Sequence, residues 1–242
     1  MKSNSSHLQA LIAKIERLAR VNEEDISALQ ALPHRSETRI AHQYIVREGE
    51  RPTECCLLVN GYAARSKLSA EGGRQIVSFH VSGDMLDLQH LFLERADHFV
   101  QAITDVKLVW IPMPALRHLI SNRPTVGTAF WRDALIDASI FREWVLNVGR
   151  RDAKTRIAHM LCEFLVRSEA AGLGTVENMR LPFTQEQIGD ATGLTSVHVN
   201  RMLRELTEEG LIRRSPGMLQ VRNWPGFRRL AGFDPAYLHA AA

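Results

Sequence analysis

The chain has 242 residues, of which 45% are hydrophobic and 24% are charged, and its formal net charge at pH 7 is +3; this composition is typical of a globular protein that is long enough for two domains. The sequence contains no apolar run of the ~18 residues that a membrane-spanning helix needs and no evident signal peptide, so we expect a cytoplasmic protein without a membrane partner. Three cysteines, two of them adjacent (Cys55 and Cys56), form no disulfide framework and are too few for a four-thiolate iron–sulfur site.

The N-terminal part predicts two short helices followed by a β-rich region. Apolar residues recur at helical spacing, and Asn22 caps a second helix that runs through Leu29. From about residue 35 to residue 110, short apolar or alternating runs are broken by glycines at intervals of roughly ten residues, which is typical of a β-sandwich or barrel. We therefore assign residues 1–122 to a sensor-like β-roll domain with N-terminal helices. The Cys55-Cys56 pair is either a redox sensor or, in the interpretation that we favour, a buried strand pair with inert thiols.

A long dimerisation helix is predicted over residues 123–151. Apolar or small residues recur there at alternating spacings of three and four, which is the pattern of a helix that packs along a partner helix for three heptads. The partner is either a second copy of the chain or another part of the same chain. We favour a second copy, because proteins with the DNA-reading motif that follows in the sequence usually read two half-sites. After Gly127, the predicted dimer seam consists of Trp131, Ala134, Ala138, Phe141, Val145 and Val148.

Residues 183–221 predict a winged helix-turn-helix within a C-terminal domain of residues 152–242. Thr184 and Gln187 form a capping-box signature at the start of a first helix, and Gly193 ends that helix because a residue without Cβ adopts the left-handed conformation easily. Thr195 caps a second helix, whose apolar face follows the i, i+3, i+4, i+7 pattern and consists of Val199, Met202, Leu203 and Leu206. The last eleven residues of the motif predict a β-hairpin with its turn at residues 215–217.

The second helix and the hairpin carry a local positive charge. Seven arginines and three acids lie between Ser196 and Arg229, which is an excess of four positive charges in a chain whose whole net charge is +3. A basic excess on a groove-reading element is expected of a protein that binds double-stranded DNA. The alternative is an ordinary helix pair joined by a glycine-containing turn, which the hairpin and the local charge disfavour.

Three stretches resemble the bacterial Crp/Fnr superfamily of transcription regulators, and the resemblance covers nearly the whole chain. Residues 81–85 (VSGDM) resemble a turn of the family's cyclic-nucleotide-binding-like roll, residues 151–158 (RDAKTRIA) resemble the start of the helix after the dimer helix, and residues 187–201 resemble the DNA-reading unit. The resemblance implies an α+β fold with a β jelly-roll, a long dimerisation helix and a C-terminal winged helix-turn-helix domain. It also implies a homodimer that binds a palindromic promoter site and contacts RNA polymerase.

The effector site of the resembling family is altered in this chain. In family members that bind cyclic AMP, a Gly-Glu pair and an Arg-Ser pair hold the cyclic phosphate, and these pairs fall on Asp87-Leu88 and Ala96-Asp97. A cyclic phosphate needs a guanidinium and oriented donors, and here only Arg95, one residue away, could supply the guanidinium. The family's adenine-contacting hydroxyl pair falls on Phe141-Arg142. We therefore expect no dependence on cyclic AMP and leave the effector unknown; the candidate effector residues are Asp87, Leu88, Arg95, Ala96, Asp97 and Phe141.

The residues at the base-reading positions differ as well. Family members that read TTGA or GTGA half-sites carry a glutamate near the start of the second helix. Val197 stands there in this chain and offers only an apolar contact, for instance to a thymine methyl group. Arg201 is retained, and an arginine bidentate to guanine is the commonest specific contact. We predict that the DNA-binding surface consists of Thr184, Gln185, Thr195, Ser196, Val197, His198, Asn200, Arg201 and Arg204.

Other functions have less support in the sequence. No nucleophile, metal motif or glycine-rich phosphate loop accompanies Asp84, Asp87 and Asp97, so we expect no catalytic site and no enzyme. The ten histidines include no pair with the i, i+4 spacing of a helical metal site, so we predict no metal and no cofactor. Two alternatives stay open. One is a haem- or redox-sensing member of the same family, and the other is a ligand-binding signalling module that acts through protein contacts.

Overall fold

The computed structural model describes residues 7–215 and 217–239, which form an α+β fold. The chain divides into two compact units. The first is built from the residues up to Arg65 and from His80–Ala138, and the second from Ser66–Phe79 and Ser139–Leu238. The predicted boundaries after residues 122 and 151 stay a prediction, since the long helix contributes to both units.

The elements agree in kind and order with the sequence pattern. The helices are α1 (Gln9–Leu18), α2 (Glu23–Gln30), α3 (Met113–Asn122), α4 (Pro124–Arg150), α5 (Ala153–Ala170), α6 (Gln185–Thr192), α7 (Ser196–Glu208) and α8 (Trp224–Ala231). The strands are β1 (Arg35–Arg39), β2 (Tyr44–Val46), β3 (Glu54–Asn60), β4 (Ala63–Leu68), β5 (Arg74–His80), β6 (Phe99–Ala102), β7 (Val106–Pro112), β8 (Asn178–Arg180), β9 (Ile212–Ser215) and β10 (Met218–Val221). The sequence pattern does not predict helix α3, strand β8 or helix α8.

The β-rich region forms two sheets, as a jelly-roll requires. One sheet has the strand order β1-β7-β3 with antiparallel pairing, and the other has the order β2-β6-β4-β5. Apolar and polar residues alternate only weakly along β3, because both faces of this strand are buried. Cys55 and Leu57 enter an apolar core with α1, α3 and the start of α4, whereas Cys56 and Leu58 enter a second core formed by residues of both sheets.

The adjacent cysteines are the buried strand pair that the sequence favours. Cys55 and Cys56 have no exposed surface, and both are free thiols. Burial, followed by the nearby Asp87 carboxylate, raises the pKa of each thiol. Because the thiolate is the reactive form, these cysteines are inert at neutral pH.

The two N-terminal helices form where the apolar spacing predicts them. Asn22 caps α2 in a reciprocal capping box with Asp25, whose backbone N–H donates to the Asn22 side chain at 2.8 Å. Lys14 of α1 belongs to a largely buried ion cluster, in which its Nζ lies 2.9 Å from Asp84 and 2.7 Å from Asp133. Burial opposes the charged ammonium, but the two carboxylates outweigh burial and raise the pKa of Lys14.

Helix α4 exposes the seam that the heptad pattern predicts. Trp131, Phe141 and Val145 are 59%, 51% and 60% exposed, respectively, in the single chain. Ala134 and Ala138 are also exposed, and Val148 is half-buried. Gly127 departs from the pattern, because it packs closely against the carbonyl of Ile120 on α3 and is buried. The opposite face of α4 is buried and includes Val126, Phe130 and Trp144.

The second unit contains the predicted helix pair and wing. Asp152 is the N-cap of helix α5. Its side chain accepts from the backbone N–H groups of Lys154 and Thr155, both at 3.1 Å. Strands β9 and β10 form the predicted hairpin, with Ser215 opposite Met218; Pro216, in its turn, lies outside the described residues. Strand β8 adds a third strand in the order β8-β10-β9. Among the residues that the structure describes, no helix combines the length and apolarity needed to cross a membrane.

Candidate nucleic-acid interface

The turn between α6 and α7 is built by residues with special backbone or capping roles. Thr184 and Gln187 form the predicted capping box, with bonds of 2.9 and 3.1 Å. Gly193 ends α6 in the left-handed conformation, at φ 67°. Gly189 permits a close approach, because a Cβ there would lie 2.4 Å from the carbonyl oxygen of Leu194. Thr195 then caps α7 by accepting from the His198 backbone N–H at 3.3 Å.

Helix α7 separates an apolar face from a polar one. Val199, Met202, Leu203 and Leu206 are buried, as the i, i+3, i+4, i+7 pattern predicts. Ser196, Asn200, Arg201 and Arg204 are exposed on the other side, and His198 is half-buried. Val197 is 78% exposed and lies outside this apolar face.

The structure brings most of the predicted DNA-binding residues onto one concave surface, which we call the reading surface. Thr184 is the exception. It is exposed at the N-cap of α6, next to Gln185, and its hydroxyl is used by the capping box. The reading surface is lined by Gln185, Thr195, Ser196, Val197, His198, Asn200, Arg201 and Arg204.

Arg201 and His198 form a pair on the reading surface. Nη2 of Arg201 lies 2.9 Å from Nε2 of His198. A guanidinium can only donate, so Nε2 of His198 is the acceptor in this pair.

The reading surface has a positive electrostatic character. The eight residues that line it include two arginines and no acid, and the N-terminus of α7 adds the positive end of its helix dipole. The acids of this segment lie in the C-terminal half of α7 or just after it, where Lys154 Nζ approaches Glu205 of the helix at 4.0 Å and Glu209, its C-cap, at 2.6 Å. Exposed Arg213, Arg214 and Arg222 follow on the wing.

Arg156 is a further residue of the helix-turn-helix whose role sequence reasoning missed. Its guanidinium donates to the carbonyl oxygens of Thr192 at 2.6 Å, Arg151 at 3.0 Å and Asn147 at 3.2 Å. These bonds tie the end of α4 and the start of α5 to the end of α6. The sequence offers no local signal for this, because all three acceptors are backbone carbonyls.

The candidate effector residues do not all have the environment of a pocket wall. Asp87 is fully buried, and its carboxylate accepts from the Cys56 backbone N–H at 2.8 Å, so it serves the interior of the roll. Ala96 is buried as well, and Leu88 is half-buried. Arg95 and Asp97 are exposed, and Asp97 contacts His98 Nδ1 at 2.7 Å. Phe141 is exposed on α4. Among residues 7–215 and 217–239, no group of three or more histidine, cysteine or acidic side chains is arranged to hold a metal ion.

Two protein families match separate parts of the chain. Residues 40–123 match the cyclic nucleotide-binding domain, and residues 155–230 match the Crp-like helix-turn-helix domain. The first match covers strands β2 to β7 of the roll, and the second covers α6, α7 and the wing. The two matches thus occur in the order that the fold displays.

The relatives of the chain are transcription regulators and not enzymes. A "Probable transcriptional activator" of Rhizobium leguminosarum bv. viciae is 27% identical over 70% of this chain and 69% of its own length. The "Anaerobic regulatory protein" of Haemophilus influenzae is 23% identical over 88% of this chain and 82% of its own length. The solved structure of FixK2 from Bradyrhizobium japonicum has a similar fold, with a TM-score of 0.76 and 24% identity, and the match covers 84% of this chain and 100% of that one. The chain is a member of the Crp/Fnr superfamily, a transcription regulator with a cyclic-nucleotide-binding-like roll and a Crp-type helix-turn-helix DNA-binding domain.

Proposed function

We propose that the protein is a homodimer that reads a palindromic promoter site and does not require cyclic AMP. The observation that carries the proposal is the exposed first half of α7, where Val197 and Arg201 lie one turn apart on the same face. A helix of this kind fits the major groove, where a valine can contact a thymine methyl group and an arginine can bond guanine O6 and N7. A regulator that acts on promoter DNA works in the bacterial cytoplasm, where it also contacts RNA polymerase.

The exposed seam on α4 supports the homodimer. Its large side chains, Trp131, Phe141 and Val145, are more than half exposed in the single chain, and exposed apolar surface of this extent favours burial against a partner. The apolar surface continues beyond the helix, because the ring of Phe92 stacks on Trp131 with centroids 5.9 Å apart. A second copy offers the same heptad pattern, so the two helices can pack along each other. The dimer then places two copies of α7 on two half-sites.

The candidate effector residues support independence from cyclic AMP. Asp87 is fully buried, and its side chain already accepts from the backbone N–H of Cys56 on β3, so it is engaged inside the roll. Ala96 is buried and has no polar side-chain group. Occupancy of the promoter site then follows the abundance of the protein or an effector of different chemistry.

The proposal is tested by measuring the affinity of the full chain for a duplex that carries its selected site, over a salt series, with and without cyclic AMP. We expect two chains per duplex, a linear fall of log affinity with log salt concentration, and the same affinity in both series. Absence of salt-dependent binding would favour a signalling module that acts through protein contacts. Binding only in the presence of cyclic AMP would overturn the proposed independence.

A further inference from the structure

Strand β5 lies against both ends of α6. At one end, Nε and Nη2 of Arg74 each lie 2.6 Å from Oδ2 of Asp190, and the side chain of Gln75 donates to the carbonyl oxygen of Ala191 at 3.3 Å. At the other end, the ring of Phe79 stacks on that of Phe183, with centroids 4.0 Å apart and planes 25° apart. All these residues belong to the second unit.

The position of α6 determines the position of the reading surface. Gln185 on α6 lines that surface, and Gly189 of α6 meets Leu194 in the turn that leads into α7. The helix has only 8 residues, and a helix this short is not stable by itself, so its orientation depends on what packs against it. A contact at each of its ends therefore constrains the whole reading unit.

The ion pair between Arg74 and Asp190 offsets an unfavourable charge at the C-terminal end of α6. Asp190 lies in the last turn of that helix, where the negative end of the helix dipole disfavours a carboxylate. Both side chains are mostly shielded from water, at 28% and 22% exposure, so their attraction is less screened than that of a surface pair. The two residues are 116 positions apart in the sequence, so the pair forms only in the folded protein.

The strand that carries Arg74 is held firmly. Strand β5 pairs with β4 in the four-stranded sheet. The turn between the two strands is closed by backbone bonds from Ser69 to Gly73 at 2.8 Å and from Gly72 to Ser69 at 3.0 Å. The position of β5 is thus defined by backbone hydrogen bonds along β4 and at the turn that joins the two strands.

We propose that Arg74 is a positioning residue for DNA recognition, which acts by fixing α6 through Asp190 so that the reading surface has the geometry needed for a specific site. This inference rests on the proposed function, since it requires that the protein binds a specific duplex. It predicts that loss of the pair weakens specific binding more than non-specific binding, because phosphate contacts tolerate a displaced helix better than base contacts do.

The experiment is a charge-swap cycle in the full chain, with variants Arg74→Asp, Asp190→Arg and the double variant, which has the net charge of the wild type. The probes are the duplex that the wild type enriches from random DNA and a duplex of unrelated sequence. Each single variant is expected to lower the ratio of specific to non-specific affinity about tenfold, and the double variant is expected to recover most of it. Thermal unfolding of each variant checks that the fold is retained, and Arg74→Gln, which removes the charge but keeps most of the side chain, replaces Arg74→Asp if the latter does not fold.

The outcomes separate this inference from the function on which it rests. Wild-type protein that binds no duplex specifically would overturn both. Specific binding by the wild type with an unchanged affinity ratio in the single variants would overturn only the role of Arg74. A reduced ratio that the double variant does not recover would also overturn it, because the ion pair would not be the positioning contact.

Discussion

The guanidinium of Arg201 donates a hydrogen bond to Nε2 of His198, 2.9 Å away and one turn earlier on the exposed face of α7. The bond restricts the rotamers of the long Arg201 side chain in the free protein. Arg201 therefore loses less conformational entropy when the protein binds DNA. Arg201 is thereby held at the surface where a base edge would lie.

Replacement of Arg201 by alanine should cost about 1–3 kcal/mol of specific binding and relax the preference for guanine at one position of each half-site. The measurement is the affinity for the selected site and for its single-base variants. Arg229→Ala is the matched control, because Arg229 is an exposed arginine on α8 and is not part of the reading surface. If Arg201→Ala weakened binding to all sequences equally, Arg201 would contact phosphate and not a base.

Val197→Glu should change which base is preferred. Val197 is 78% exposed, so the new carboxylate fits without disturbing the apolar face of α7. A glutamate accepts from the N4 amino group of cytosine, whereas a valine favours a thymine methyl group. Selection of sites from random DNA by the two proteins should therefore recover motifs that differ at one position from thymine to cytosine. Identical motifs would show that residue 197 does not face a base.

Val145→Glu should dissociate the dimer without unfolding the chain. Val145 is 60% exposed in the single chain, so the fold does not need its side chain, whereas a carboxylate in a helix seam would be buried without a partner. The molar mass in solution, measured by sedimentation, checks this. Thr128→Glu introduces the same charge at an exposed position of α4 outside the seam and should stay dimeric. If the Val145→Glu protein were still a dimer, the seam on α4 would not be part of the dimer interface.

Lys14→Ala should destabilise the fold by about 3–5 kcal/mol, because it leaves the buried Asp84 and the mostly buried Asp133 without their cation. Denaturant unfolding measures the change. Lys154→Ala is the control, since its pair with Glu209 lies nearer the surface and exposed pairs contribute less than about 1 kcal/mol. Equal effects of the two substitutions would contradict the buried ion cluster.

His159 should make the fold less stable in acid. Burial, followed by the nearby Arg151, lowers the pKa of His159 to about 4, from 6.5 for an unperturbed histidine. Between these two values the unfolded chain binds the proton and the folded chain does not, so the free energy of unfolding falls as the pH drops from 6.5 toward 4 and is unaffected at higher pH. NMR titration of the imidazole should show no protonation down to about pH 5, and His159→Gln should reduce the loss of stability. A midpoint at or above pH 6.5 would be incompatible with this environment.

The helix-turn-helix could be predicted in detail because its determinants are local. Thr184 and Gln187 are three residues apart, Thr195 bonds the backbone N–H of His198, and Gly193 has the left-handed conformation that a helix end requires. Each of these residues acts on its own turn of the chain. The exposed apolar positions of α4 could be predicted for the same reason, since a heptad pattern lies within one helix; that they form a dimer seam stays a prediction.

The parts that were missed depend on tertiary contacts. Strand β8 has only three residues and forms because β10 offers it an edge, so its sequence carries no strand signal of its own. Gly127 fits the heptad spacing but packs against α3, which the sequence did not reveal. Asp87 was placed in an effector pocket by alignment, whereas its fully buried side chain bonds the backbone of Cys56.

Selection of sites from random duplex DNA by the purified protein, without added ligand, shows whether the two reading surfaces of a dimer recognise one palindromic site. We expect enrichment of an inverted repeat whose half-sites lie about one helical turn apart, with a guanine that is lost when Arg201→Ala protein is used. Absence of any enriched repeat, from protein that is folded and dimeric, would contradict this expectation.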